Sequence, residues 1–127
     1  MISEELQSRL NELKTEEFIW IVYIGIIIFS FYSNSLERDY FITGNKEIRD
    51  KYRNTLIIIF SILIVVYTYF LKESIIDLKN LKPTDSDRRK TFVYLSFIGS
   101  LLIAISGAIF LFIAISDENL DVELAFN

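Results

Sequence analysis

The chain predicts an all-α integral membrane protein with three transmembrane helices, an N-terminal amphipathic helix and a helical hairpin between spans two and three. Three observations carry that expectation. Residues 18–32, 55–71 and 92–115 contain no Asp, Glu, Lys, Arg, His or Pro, and together they fill nearly half of 127 residues. Trp20, Tyr23, Tyr32, Tyr52, Tyr67, Tyr69 and Tyr94 fall near the ends of these runs, where a ring with a polar tip suits a membrane–water boundary. Strong breakers are few: Gly44-Asn45 lies between the first two runs, and the only proline, Pro83, lies between the second and third. In hydrocarbon each backbone N–H and C=O must be paired within its own segment, so apolar runs of this kind cross as helices.

Residues 1–17 read as the amphipathic helix. Ser3 is placed to cap it, and Glu4 and Glu5 fall in the first turn, where the helix dipole favours negative charge. Leu6, Leu10 and Leu13 continue from Ile2 at four- and three-residue steps as one apolar stripe. The segment is acidic, with five Glu against Arg9 and Lys14, and acidic helices are poorly drawn to anionic lipid. The stripe is therefore expected to pack on protein, either another copy or the cytoplasmic loop. The acidic start also lacks the short basic opening of a secretory signal, so the first span is expected to be retained.

Span one follows without a breaker. At about 1.5 Å per residue its apolar run reaches only about 23 Å, short of a hydrocarbon core of about 30 Å. It is expected to continue through Ser33, Asn34, Ser35 and Leu36, giving residues 18–36. Residues 37–54 form the outer loop, broken at Gly44-Asn45. Span two, residues 55–71, covers about 26 Å. The stretch from Lys46 to Lys82 lacks Gly and Pro, so this helix is expected to protrude at both ends. Residues 72–91 read as the cytoplasmic hairpin. Pro83 ends the second helix, and Thr84 and Asp87 stand at capping-box spacing for the third. Span three, residues 92–115, extends about 36 Å and must tilt or protrude. Residues 116–127 form an acidic tail whose two-residue alternation suits a strand, although fraying is the plainer expectation. One domain without internal repeats accounts for the whole sequence.

The positive-inside tendency orients the spans. The loop of residues 72–91 and the N-terminal segment carry eight Lys and Arg, the 37–54 loop carries five, and the tail carries none. Arg88, Arg89 and Lys90 flank the third span on one side, and Asp117 and Glu118 flank it on the other. The expected location is the cell membrane, multi-pass, with the N-terminus in the cytoplasm and the C-terminus outside.

Site chemistry is sparse. There is no histidine or cysteine, which removes thiolate and imidazole metal ligands and the commonest general base. No Gly-rich phosphate loop or nucleophile elbow stands out among four glycines. Charges beyond the spans alternate in sign at helical spacing, the pattern of a solvated face. Catalytic residues, metal ligands and cofactors are not expected. No ionisable group falls within the spans, which argues against ion-coupled transport. Nucleic acid is not expected as a partner at net charge −4.

The most specific pattern lies on span three. Ser96, Ser100, Ala104 and Ala108 recur every four residues, with Gly99, Ser106 and Gly107 close to the same side. Small side chains at that spacing let another helix approach closely, and in lipid such packing replaces the missing hydrophobic drive. Gly25, Ser61 and Thr68 are the candidate counterparts. The groove could pack the three helices of one monomer or mediate self-association. Arg88, Arg89 and Lys90 are a juxtamembrane basic cluster suited to topology, anionic lipid or the acidic N-terminal helix.

The expected function is that of a small bacterial-type multi-pass protein acting non-enzymatically, through helix–helix and juxtamembrane contacts. It would be a subunit, regulator or immunity-type partner of a membrane assembly, with the lipid bilayer and a homo-oligomer or membrane-protein partner around it. The alternative is a homo-oligomeric pore. In size and hydropathy the layout is similar to three-span holins, a resemblance that implies permeabilisation; the acidic tail departs from the basic cytoplasmic tails of that family.

Overall fold

A computed structural model describes residues 3–117; most of the tail expected at residues 116–127 lies outside the described residues, as does Ile2 of the stripe. Three helices account for nearly all of the described chain: α1 (Glu4–Thr43), α2 (Lys46–Lys79) and α3 (Asp87–Ser116). Each is long and apolar enough to cross a membrane.

α1 begins where its cap allows. The Ser3 hydroxyl accepts from the Leu6 N–H at 3.1 Å, and the helix runs unbroken through the amphipathic segment and span one. Its end is set by Gly44, whose φ of 63° places it in the left-handed region that favours glycine. The Gly44 N–H donates to the Tyr40 carbonyl at 2.7 Å. Asn45 then caps α2, accepting from the Glu47 N–H at 2.8 Å. The expected loop of residues 37–54 is thus helix on either side of a two-residue turn. α2 starts at Lys46, in keeping with the expected protrusion of that helix, and it is α1 that runs further than expected, helical propensity in Glu37–Thr43 carrying it past its apolar run.

The α2–α3 connection also differs from the expected cap. Ser86, and not Thr84, starts α3 by accepting from the Arg89 N–H at 3.1 Å. Asp85 is engaged elsewhere, since its carboxylate closes the turn after Pro83 by accepting from the Lys82 N–H at 2.8 Å. That turn moves the start of the helix beyond Thr84.

α2 is the central helix. It packs against α1 on one side and α3 on the other, while α1 and α3 do not pack on each other. Its buried residues Leu56, Ile59, Phe60, Leu63 and Val66 form most of the core, joined by Ile26 and Leu36 of α1 and Ala114 of α3. The inner edges of the outer helices alternate four- and three-residue steps. On α1 the edge runs through Glu12, Glu16, Ile19, Tyr23, Ile26, Ser30, Ser33, Glu37 and Tyr40; on α3 it runs through Val93, Phe97, Ser100, Ala104, Gly107, Leu111 and Ala114. A seven-residue repeat of this kind keeps one seam facing a neighbour along the whole helix. Elsewhere the surface is greasy: only 11% of the most apolar stretch of α3 is buried.

Candidate functional site: an apolar groove with an acidic mouth

Because α1 and α3 flank α2 without meeting, they leave a groove between them, floored by α2. It holds about 700 Å³, and its lining includes Trp20, Tyr23 and Ile27 of α1, Leu63 and Tyr67 of α2, and Ile103 of α3. Past Tyr23, Tyr67 and Ile103 it opens into a second hollow of about 390 Å³, bordered by Glu16, Glu73, Asp77, Ser96 and Ser100. The feature as a whole is mostly apolar along its length, with Ser30 and Asn34 of α1 among its lining, and acidic at one end.

The acidic mouth follows from the α1 seam. Glu12 and Glu16 occupy its first inner positions and are brought beside Glu73 and Asp77 of α2. Expected to be solvated, Asp77 is exposed, while Glu12, Glu16 and Glu73 are half-buried at one helix contact. The pKa of Glu73 is raised by partial burial and by the neighbouring charges of Glu12 and Asp77, with Lys72 opposing. No ion pair joins Glu16, Glu73 or Asp77 to a cation among the described residues, while Glu12 has an exposed partner in Arg9 at 3.8 Å. Nor does any group of three or more Asp and Glu there have the arrangement to hold a metal ion.

The small-residue ridge of α3 divides over two faces. Gly107 is buried and makes the closest approach: a Cβ there would stand 3.0 Å from the Tyr67 ring. Ser100 and Ala104 are half-buried on the same seam, and Ser96 and Ala108 are exposed. The reason is geometric. Four-residue steps drift about 40° each around a helix of 3.6 residues per turn, so the ridge winds off the face turned towards α2. Ser96 and Ser100 border the groove, and Gly99 beside them meets nothing within 4 Å of a Cβ position. Of the expected counterparts, Gly25 also faces open space and Ser61 and Thr68 are exposed; the surface opposite Gly107 is the Tyr67 ring.

The basic cluster has only local company. Arg88 lies over the Phe92 ring at 5.4 Å, Arg89 pairs with Asp85 at 3.7 Å, and the Lys90 ammonium donates to the Pro83 carbonyl at 3.2 Å. These are surface contacts of small energy. Arg88 and Arg89 border a hollow that Asp77 also lines, so the cluster and the acidic mouth share one end of the molecule. Leu6, Leu10 and Leu13 are between 37% and 48% exposed. Their stripe lies to one side of the inner edge of α1, which runs through Glu12, Glu16 and Ile19, and Leu6 borders a hollow that Asp77 of α2 also lines.

At the opposite end, adjacent residues of α2 reach both neighbours. The Tyr52 hydroxyl donates to Glu37 Oε2 at 2.7 Å, tying α1. Arg53 Nε donates to the Ala114 carbonyl at 3.2 Å and its Nη2 donates to the Ile115 carbonyl, capping α3, where cationic groups satisfy orphan carbonyls and complement the helix dipole. Sequence reading missed both, the second because the partners lie 61 and 62 positions apart.

No protein-family profile, curated protein or solved structure matches this chain.

Proposed function

We propose that the chain is an integral membrane protein of three crossings that acts without catalysis, through helix–helix and juxtamembrane contacts, as a subunit, regulator or immunity-type partner of a membrane assembly. The N-terminus and the α2–α3 turn face the cytoplasm in this reading, and the end of α3 faces outside. One observation carries it: the molecule leaves its association surfaces open. Ile24, Phe31, Val65, Leu102 and Phe112 are among the large apolar side chains that are mostly exposed, a surface suited to lipid and to other helices and costly in water. The Leu6, Leu10 and Leu13 stripe is also exposed, though less so, on the part of α1 that precedes its apolar run. It suits a protein contact at the cytoplasmic boundary.

A pore would want hydroxyls and carbonyls along a shared interior. The groove has Ser96 and Ser100 at its mouth and Ser30 and Asn34 further along, but these are set among Trp20, Ile26, Ile27, Phe31 and Leu63, a mostly apolar lining that favours a packed partner over a column of water.

The test combines location and size. The chain should stay in membranes washed with carbonate, and reporters at its two ends should appear on opposite sides. In mild detergent it should migrate as a species larger than one chain, and changing Leu6, Leu10 and Leu13 together to Ser should shrink that species. A freely soluble chain, or a strictly monomeric one, overturns the proposal.

A further inference from the structure

We infer that the groove between α1 and α3 is the seat of α3 from a second copy of this chain, so that two copies plug each other's grooves in a parallel, two-fold pair. The inference rests on the proposed function and names its nearest partner.

Three observations converge on that occupant. The first is shape. α1 and α3 stand apart over α2, and the α3 wall is low at the mouth, where Ser96 and Ser100 line it and Gly99, a step away on the same helix, has open space at its Cβ position; further along the wall is Ile103. Small side chains there admit the backbone of another helix, the close approach that holds helices together in lipid.

The second is charge. The mouth carries Glu16, Glu73 and Asp77, none ion-paired among the described residues. A helix entering it is therefore selected for a basic flank at the same level. α3 has one in Arg88, Arg89 and Lys90, on the end where Asp77, Arg88 and Arg89 border a common hollow. A parallel neighbour brings its own cluster to that level. The contacts now holding these cations are exposed ones, easily exchanged for carboxylates.

The third is closure. A two-fold interface must be self-complementary. α3 is both a wall of the groove and, in the second copy, its plug, so the two α3 helices meet along the same Ser96, Gly99 and Ser100 face. Each also lies against the other copy's α1, beside Trp20, Tyr23 and Ile27. Both grooves are filled at once and the assembly ends at two.

The chain has no cysteine, so single introduced cysteines report without background. Ser96→Cys in native membranes should form a disulfide-linked dimer on mild oxidation. Val65→Cys, on the face of α2 turned away from the groove, should not. Ser96→Leu combined with Gly99→Leu should weaken dimerisation in mild detergent by about tenfold or more. Both positions are open, so unfolding of the α2–α3 pair should be unchanged. Glu73→Lys should lower the cross-linking yield of Ser96→Cys, and Arg89→Glu in the same chain should restore it.

If the protein forms an assembly while Ser96→Cys gives no dimer, another helix fills the groove; this inference falls and the proposed function stands. If the Val65→Cys dimer forms as readily, the two-fold geometry is wrong. Loss on Glu73→Lys without rescue by Arg89→Glu removes the charge match and with it the choice of α3. A chain that is monomeric throughout ends both proposals.

Discussion

On its α3 side, α2 meets a neighbour shaped to it. The Tyr67 ring lies on Gly107, Phe60 packs against Phe110 with ring centroids 5.6 Å apart, and Arg53 holds the last α3 carbonyls. On its α1 side the contact is apolar only in the middle. Carboxylates crowd one end, a tyrosine–carboxylate hydrogen bond ties the other, and fully buried Ser33 has a hydroxyl without a hydrogen-bond partner among the described residues. Shape complementarity does not change with proton activity, but contacts made by carboxylates do. The α2–α3 contact is thus expected to be indifferent to pH, and the α1–α2 contact to respond to it at its acidic end.

The strongest challenge to that contrast is overpacking at the α2–α3 contact. Gly107→Leu should destabilise the α2–α3 pair by about 1–3 kcal/mol, the usual cost of forcing extra methylenes into a filled site. Gly99→Leu meets open space and should cost less than about 0.5 kcal/mol. Unfolding from mixed micelles with a graded denaturing detergent measures both. Equal effects would mean that the Gly107–Tyr67 approach contributes nothing special.

Next in size is the tie at the far end of α1. Tyr52→Phe removes the donor to the Glu37 carboxylate and should loosen α1 by about 1.5 kcal/mol, at the low end for hydrogen bonds to charged groups. Hydrogen exchange separates the two interfaces: amides at the Glu37 end of α1 should exchange faster, with α3 unaffected. Acceleration spread evenly over all three helices would merge the two faces of α2 into one cooperative unit.

A smaller effect of opposite sign is expected at Ser33, whose hydroxyl is buried and has no hydrogen-bond partner among the described residues. Removing an unsatisfied polar group relieves its desolvation penalty, so Ser33→Ala should stabilise the α1–α2 contact by up to about 1 kcal/mol. A loss of stability in the same detergent titration would show that the hydroxyl has a partner.

The three helices and their caps at Ser3 and Gly44 could be read along the chain because both signals are local: a run of apolar residues, and a side chain or glycine within three or four positions of the group it serves. The groove could not, because it exists only where α1 and α3 fail to meet. The seams were legible in principle. Counting small residues every fourth position followed one ridge around α3, whereas alternating steps of four and three would have picked out Ser100, Ala104, Gly107 and Ala114. The same count along α1 passes through Glu12 and Glu16, which alternating charge had assigned to solvent. Arg53 gives no local sign of its role, since its partners at Ala114 and Ile115 are fixed only by the packing of α2 on α3.

The subtlest test concerns the acidic end, where the sign of the pH dependence is fixed by the direction of the Glu73 shift. Its pKa is raised when α1 is seated, by partial burial first and then by Glu12 and Asp77, with Lys72 pulling the other way. The seated state therefore holds the proton at a pH where a fully solvated carboxyl has released it. Seating is strongest below the ordinary carboxylate range, weakens as pH rises through the raised value and then levels off. A pair of spin labels, one on the first turns of α1 and one near Lys79 of α2, should report a distance that grows over that interval. Glu73→Gln cannot ionise, so it should flatten the change and keep α1 in its low-pH position. An undiminished slope in that variant would show that Glu73 is not the source of the dependence, and a slope of opposite sign would mean that the mouth meets net positive charge.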